Sequence, residues 1–239
     1  MITYRKYKFS ERPRADQITD CSLGNILFFI AGTIGIAVKN GYDYGFTEWN
    51  NSEFFVNPLP PLENGEYKEF DLGWGFKGFD VPDGSSLSGW MQTEKYFIHC
   101  EALVRHYFTL KDLADPIKDT IIVHYRAFID EGTLFVPLTR EYYLGALRML
   151  PDKRIVVVTD NVNKAKETLG LNVEYISNSP IKDFYLLANS DYLIMSNSSF
   201  SWWGSWLSKA ITVAPSSWLQ PFVNQDCEDL YCKNWIIWK

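Results

Sequence analysis

From Thr120 onward the chain alternates between short apolar runs and stretches with helical spacing, and this alternation limits the possible folds more than any other feature of the sequence. The apolar runs Ile121–Tyr125, Ile155–Thr159, Val173–Ile176, Tyr192–Met195 and Ile211–Ala214 have the length and β-branched content of buried strands. Between them lie four predicted helices: Arg140–Leu150 opened by Thr139, Asn163–Leu169 closed by Gly170, Ile181–Asn189, and a tryptophan-rich helix beginning near Ser199. Repeated β-α units of this size predict a parallel sheet with right-handed crossovers, which binds ligands beyond the carboxyl ends of its strands. The polar residues at those ends are therefore the candidate site: His124 and Arg126, then Thr159, Asp160 and Asn161, then Ser196 to Ser199.

Asp183 to Leu207 is the most informative stretch, reading as helix, strand, hydroxyl-rich turn and helix. A helix start leaves about four backbone N–H groups unpaired and carries roughly half a positive charge. Ser198 and Ser199 at such a point are open to two readings, a plain cap on a helix whose tryptophans are core, or part of a cradle for a phosphate. The formal charge of −6 and pI near 5.1 exclude a general nucleic-acid or anionic-membrane binder, so any phosphate site must be local. The four cysteines, Cys21, Cys100, Cys227 and Cys232, are dispersed without C-x-x-C pairs, which favours free thiols in a reducing compartment and predicts no metal site. No apolar run near the start has the form of a signal peptide or membrane anchor, so the chain is expected to be cytoplasmic.

The first half is less regular. Ile2–Phe9 reads as a strand before a polar, proline-broken segment, and Leu27, Ile30, Ile34 and Val38 share one face of a helix over Ile26–Lys39 that stops at Asn40-Gly41. Tyr42–Phe46 reads as a strand, and Pro58–Pro61 and Asp71–Gly89 read as loops. A helix is expected to start within Leu87–Phe97, burying Tyr96 and Phe97, to run through Leu103, Val104 and Tyr107, and to stop near Asp115-Pro116, where a domain boundary is placed.

Several of these segments carry a resemblance. Ser196 to Leu207, S-N-S-S-F-S-W-W-G-S-W-L, closely resembles the motif S-N-S-S-F-S-W-W-G-A-W-L of the alpha-1,2-fucosyltransferase family (glycosyltransferase family 11) and departs from it only at Ser205. Leu23-Gly24-Asn25 is similar to the family's L-G-N-Q-x-F-Q, with Ile26 and Phe29 in place of the glutamines, and Gly89 to Phe97 to its G-Y-F-Q-S-x-K-Y-F. His124-Tyr125-Arg126 matches H-x-R-R-G-D-Y in part: Ala127 replaces the second arginine, Phe128-Ile129 replace the glycine and aspartate, and Asp130 and Glu131 follow. Thr159-Asp160-Asn161 looks like the family's S-D-D turn, and Asp183 matches the acidic residue before its serine motif.

The resemblance implies an α/β chain of the two-lobed glycosyltransferase B type with Rossmann-like parallel sheets, an acceptor-side lobe over residues 1–116 and a donor lobe over 117–239. It implies fucose transfer from GDP-fucose to a galactoside hydroxyl, inverting, with no cofactor and no obligatory metal. The donor contacts it suggests are His124, Arg126, Asp160, Asp183, Asn197, Ser198 and Ser199. Catalysis would fall to Arg126 with Asp130 or Glu131, and acceptor binding to Asn25, Gln92 and Lys95. Arginine suits the β-phosphate because its planar fork forms bidentate, permanently charged hydrogen bonds to the oxyanion that grows as the glycosidic bond breaks. The partners implied are a sugar nucleotide and a glycan, in a setting of membrane-linked glycan assembly. A transferase for another sugar nucleotide, or an eroded binding protein, are the alternatives.

Overall fold

A computed structural model describes residues 1–4, 23–49, 51–112, 115, 117–127 and 133–239. Two compact units divide between Lys111 and Asp112; the short segment Glu228–Leu230 belongs to the first, and Tyr231–Lys239 to the second. The sequence placed its boundary at 116/117.

In the first unit, helix α1 spans Leu23–Asn40, and nearly every residue from Leu23 to Ala37 is buried. The one-sided pattern expected there is thus absent: α1 is buried all round, and Val38, assigned to the apolar face, is 42% exposed. The helix is long and apolar enough to cross a membrane, but 78% of that window is buried within the protein. Its glycines mark close approaches, since a Cβ at Gly35 would lie 1.9 Å from the Tyr96 carbonyl oxygen. Strands β1 (Thr3–Tyr4), β2 (Lys68–Trp74) and β3 (Ser85–Trp90) form a parallel sheet in the order β1-β3-β2.

Three stretches of the first unit depart from the sequence expectation. Tyr42–Phe46 makes only isolated bridges, Ile2 with Tyr44 and Phe46 with Pro61. The proline-rich partner lacks the N–H groups a ladder needs. Asp71–Gly89 is not all loop: its ends are the strands β2 and β3, and the glycines read as turn signals serve a bulge. Gly89 has φ 103°, and a Cβ there would sit 2.6 Å from Gly73 N. The stretch expected to open a helix instead completes β3 and makes two single 3-10 turns, Glu94–Tyr96 and Ile98–Cys100, before helix α2 at Glu101–Tyr107. Tyr96 and Phe97 are buried as expected.

The second unit follows the predicted alternation closely. Its strands are β4 (Thr120–Tyr125), β5 (Arg154–Thr159), β6 (Glu174–Ile176), β7 (Tyr192–Ile194), β8 (Ile211–Pro215) and β9 (Ile236–Trp238). Its helices are α3 (Arg140–Leu147), α4 (Val162–Leu169), α5 (Pro180–Ala188) and α6 (Ser199–Ser208). All strands pair in parallel in the order β6-β5-β4-β7-β8-β9. Counted from β4 this is 3-2-1-4-5-6, the doubly wound order in which the chain reverses direction across the sheet between its first and fourth strands, opening a crevice at their carboxyl ends. β4 is buried along its whole length, as a central strand must be. Strand β9 was not anticipated. It is held by tertiary packing: Trp238 lies 5.6 Å from the Tyr142 ring, and a Cβ at Gly145 would meet the Trp238 indole nitrogen at 2.1 Å.

Candidate functional site

The carboxyl ends of β4 and β7 flank the crevice, and helix α6 begins just after β7. Trp202 and Trp203 on α6 are fully buried, and Gly204 brings the helix against α5, where a Cβ would lie 2.6 Å from Leu187 Cβ. Ser198 caps α6, its hydroxyl accepting from Phe200 N at 3.2 Å. The cap reading of the serine turn therefore holds, on a helix whose tryptophans are core, and the amino end of that helix follows β7. Ser199, the first helical residue, is half-buried. Asn197 is 1% exposed; its amide nitrogen donates to the Val136 carbonyl at 2.8 Å, while its Oδ1 is buried with no hydrogen-bond partner among the described residues. A buried acceptor left unpaired costs about 1–3 kcal/mol, so such atoms concentrate where a ligand supplies the missing donor.

His124, next to last in β4, is 2% exposed and directs Nδ1 at the hydroxyls of Ser196, 2.9 Å away, and Ser201. Its ring stacks on Phe200 with centroids 5.4 Å apart. Burial, reinforced by the charge of Arg126, pulls its pKa well below the usual imidazole value, so the ring is neutral.

Beyond β4, Arg126 pairs with Asp160 at the end of β5, Nη1 to Oδ2 3.4 Å. The other Asp160 oxygen accepts from Ala127 N at 2.7 Å. The Ala127 carbonyl in turn accepts from Lys164 Nζ at 2.6 Å. Two cations and one carboxylate thus surround the residue that stands where the resembled motif has its second arginine. Burial lowers the pKa of Arg126 and Asp160 opposes the shift; a guanidinium so placed keeps its charge. The cap of α4 is Asn161, which accepts from Lys164 N at 3.1 Å, leaving Asp160 to Arg126 and the Ala127 N–H.

Sequence reasoning missed Lys164. It lies in the first turn of α4, where the positive end of the helix dipole disfavours a cation, and that breach of the usual preference is the signal that could have marked it.

Asp183, on the first turn of α5, is 7% exposed and accepts from Asn178 N at 3.1 and 3.2 Å and from Asn178 Nδ2 at 3.0 Å. Desolvation raises its pKa, the bonds from Asn178 oppose that, and the charge of Asp160 adds to the rise. Its carboxylate is therefore already engaged with its own helix start.

Among the residues expected to contact an acceptor, Asn25 and Gln92 meet in the first unit, Gln92 Nε2 donating to Asn25 Oδ1 at 2.9 Å. Lys95 is instead exposed and ion-paired with Asp229. Asp130 and Glu131 lie outside the described residues. Among the described residues no group of three or more His, Cys, Asp or Glu side chains is gathered to hold a metal ion.

The model of the family described as Glycosyl transferase family 11 matches residues 111–239, more than half of the chain. An alpha-1,2-colitosyltransferase of Escherichia coli is 29% identical over 160 residues, covering 55% of this chain and 55% of that protein. The O-antigen biosynthesis glycosyltransferase WbnK of Escherichia coli is 30% identical over 112 residues, 41% of this chain and 36% of its own length. The matches therefore span about half or less of these relatives. Among solved structures, the fucosyltransferase NodZ from Bradyrhizobium aligns with a TM-score of 0.51 at 14% identity, covering 85% of this chain and 90% of that one. A mutant of Arabidopsis thaliana FUT1 in complex with GDP aligns with a TM-score of 0.51 at 12% identity, covering 82% and 69%. These likenesses show the fold, an α/β chain of the glycosyltransferase B type with parallel, Rossmann-like sheets.

Proposed function

Because the chain belongs to glycosyltransferase family 11, we propose that it moves fucose from GDP-fucose to a galactoside hydroxyl, inverting the anomeric carbon. The observation that carries this reading is the gathering of Arg126, Asp160 and Lys164 around Ala127 just beyond β4, whose neighbour β7 leads into the buried Asn197 acceptor and the amino end of α6. Net negative charge elsewhere makes this local concentration of donors and cations meaningful.

In the proposed step the bond between the anomeric carbon and the β-phosphate oxygen breaks and its electron pair leaves with GDP. The acceptor oxygen bonds the anomeric carbon from the opposite face, and its proton passes to Asp130, Glu131 or water. Arg126, Lys164 and the α6 N–H groups stabilise the departing diphosphate, with two side-chain cations in the role a divalent metal serves elsewhere. Asn197 Oδ1 accepts from a ligand hydroxyl, and Ser198 and Ser199 lie beside the phosphates. Asp160 and Asp183 are the proposed nucleotide contacts, the second through a lone pair that its bonds from Asn178 leave over. The first unit takes the acceptor, with the linked Asn25–Gln92 pair and Lys95 as contacts. Free thiols at Cys100 and Cys227 support a cytoplasmic setting.

A second reading, transfer of a different sugar by the same residues, is favoured by the colitosyl specificity in the name of the Escherichia coli relative. A thermal-shift panel tests the nucleotide. GDP at 100 times its dissociation constant should add about 2.7 kcal/mol of stability, and UDP or CMP much less. Equal shifts for GDP and UDP would contradict the guanine assignment. Transfer assays with a panel of GDP-sugars then identify the donor, and binding of GDP without any transfer would identify a binding protein.

A further inference from the structure

Three polar atoms meet in a buried triangle at the carboxyl ends of β4 and β7: His124 Nδ1, Ser196 Oγ and Ser201 Oγ. Ser196 Oγ lies 2.9 Å from Nδ1 and 3.1 Å from Ser201 Oγ, Ser201 Oγ contacts Nδ1 closely, and the Ser196 N–H donates to Ser201 Oγ at 3.2 Å. Ser196 is 1% exposed and Ser201 is fully buried. Among the described residues, the two hydroxyls bond only to one another, to the ring and to that N–H.

Counting protons decides the tautomer. With Nδ1 bare, one hydroxyl donates to Nδ1 and the other donates to the first hydroxyl's oxygen, so both buried protons find acceptors. With Nδ1 protonated, the ring cannot accept. Only one of the two hydroxyl protons can then lie between the oxygens, and the other is stranded in a site that water does not reach. A stranded buried donor is the costlier state.

We infer that Ser196 and Ser201 are positioning residues that lock His124 in the neutral Nε2–H tautomer, so that the ring offers a ligand a hydrogen-bond donor and never an acceptor. Burial beside Arg126 supports neutrality, and stacking on Phe200 fixes the ring plane. A ligand atom at Nε2 must then be an acceptor, such as a carbonyl oxygen, and an amino group in its place is refused. The tautomer stands on this geometry alone; its use, to favour the carbonyl-bearing guanine over the amino-bearing adenine, rests on the GDP reading above.

Long-range proton–nitrogen NMR spectra of uniformly nitrogen-15-labelled protein at pH 7 provide the test. The chain has three histidines, and the signals of His124 are those missing from a His124→Gln sample. The wild type should show a protonated Nε2 and a bare Nδ1. Either hydroxyl alone can still donate to a bare Nδ1 and would be stranded beside a protonated one, so Ser196→Ala and Ser201→Ala should each keep the wild-type pattern; the double variant Ser196→Ala/Ser201→Ala leaves no hydroxyl on Nδ1, and its signals should move toward a mixture of tautomers. The double variant should also bind GDP about 3- to 10-fold more weakly, the scale of one misdirected hydrogen bond, with pyrophosphate binding unchanged. A protonated Nδ1 or an imidazolium in the wild type overturns the lock, as does an unaltered pattern in the folded double variant. Failure of the wild type to bind GDP would instead overturn the nucleotide reading and leave the tautomer result standing.

Discussion

Removing the two cations beside Ala127, singly and together, probes the proposed chemistry most directly. Arg126 and Lys164 are linked through one residue: Asp160 holds Arg126 at 3.4 Å and the Ala127 N–H at 2.7 Å, and Lys164 holds the Ala127 carbonyl at 2.6 Å. A hydrogen bond to a charged group contributes about 1.5–3 kcal/mol, and each 1.36 kcal/mol is about tenfold in rate. One phosphate contact that persists in the transition state is therefore worth about 10- to 150-fold. Arg126→Ala should lower turnover by about 10²-fold, more if both arms of the fork engage the phosphate. Arg126→Lys should recover little, because an ammonium cannot hold Asp160 and a phosphate oxygen in one plane. Lys164→Ala should cost about 10-fold. The double variant should lose more than the product of the single losses, because each cation partly covers for the other. Packing around β4 rests on Ile121 to Val123, all buried, so the fold should survive each change. The assay is transfer and donor hydrolysis under saturating donor, with EDTA present throughout, alongside GDP affinity by calorimetry. Near-full activity in Arg126→Ala refutes the mechanism, a neutral Lys164→Ala removes Lys164 from it, and collapse of activity in EDTA removes the claim that side-chain cations suffice.

Three further outcomes are expected. If Asp130 or Glu131 is the base, Asp130→Asn or Glu131→Gln should lower turnover by at least roughly 10-fold, since a positioned base typically contributes 10²–10⁴; two variants with unaltered rates point to late proton loss to water. Because the pKa of His124 is depressed in the folded chain, unfolding takes up a proton below about pH 6.5, so its contribution is present above that pH and is lost as pH falls toward the folded value, at up to about 1.4 kcal/mol per unit. Denaturant melts from pH 7.5 to 5 should show that slope in wild type and a shallower one in His124→Gln; parallel curves would show that the ring titrates normally. Gly204→Ala drives a methyl to 2.6 Å from Leu187 Cβ and should destabilise by about 1–3 kcal/mol, read as a lower urea midpoint at constant m; an unchanged midpoint would mean that α5 and α6 separate freely.

The second unit was legible because its strands are short apolar runs, and because a left-handed cap such as Gly170 marks a helix end by local chemistry. The first unit was less legible. Glycine is the same letter whether it makes a turn or lets two backbones touch, so Gly89, pressed on Gly73, reads as a loop signal. Helix α1 defeated the one-face pattern because a helix covered on all sides carries no such stripe.

What the sequence determined by itself was local and periodic: the β-α alternation, the strand ends on which polar residues fall, and the twelve-residue serine–tryptophan segment that names the family. Only the tertiary structure decided which of those residues meet. The order of the strands sets β4 beside β7, and that adjacency brings Ser196 and Ser201 onto His124, 72 and 77 residues away in the chain. It likewise took packing to place Lys164 on the Ala127 carbonyl, 37 residues distant, and Asp229 on Lys95, 134 residues distant. A periodicity records which face a side chain turns inward, whereas the partner it finds there depends on a crossover whose destination no short window of sequence contains.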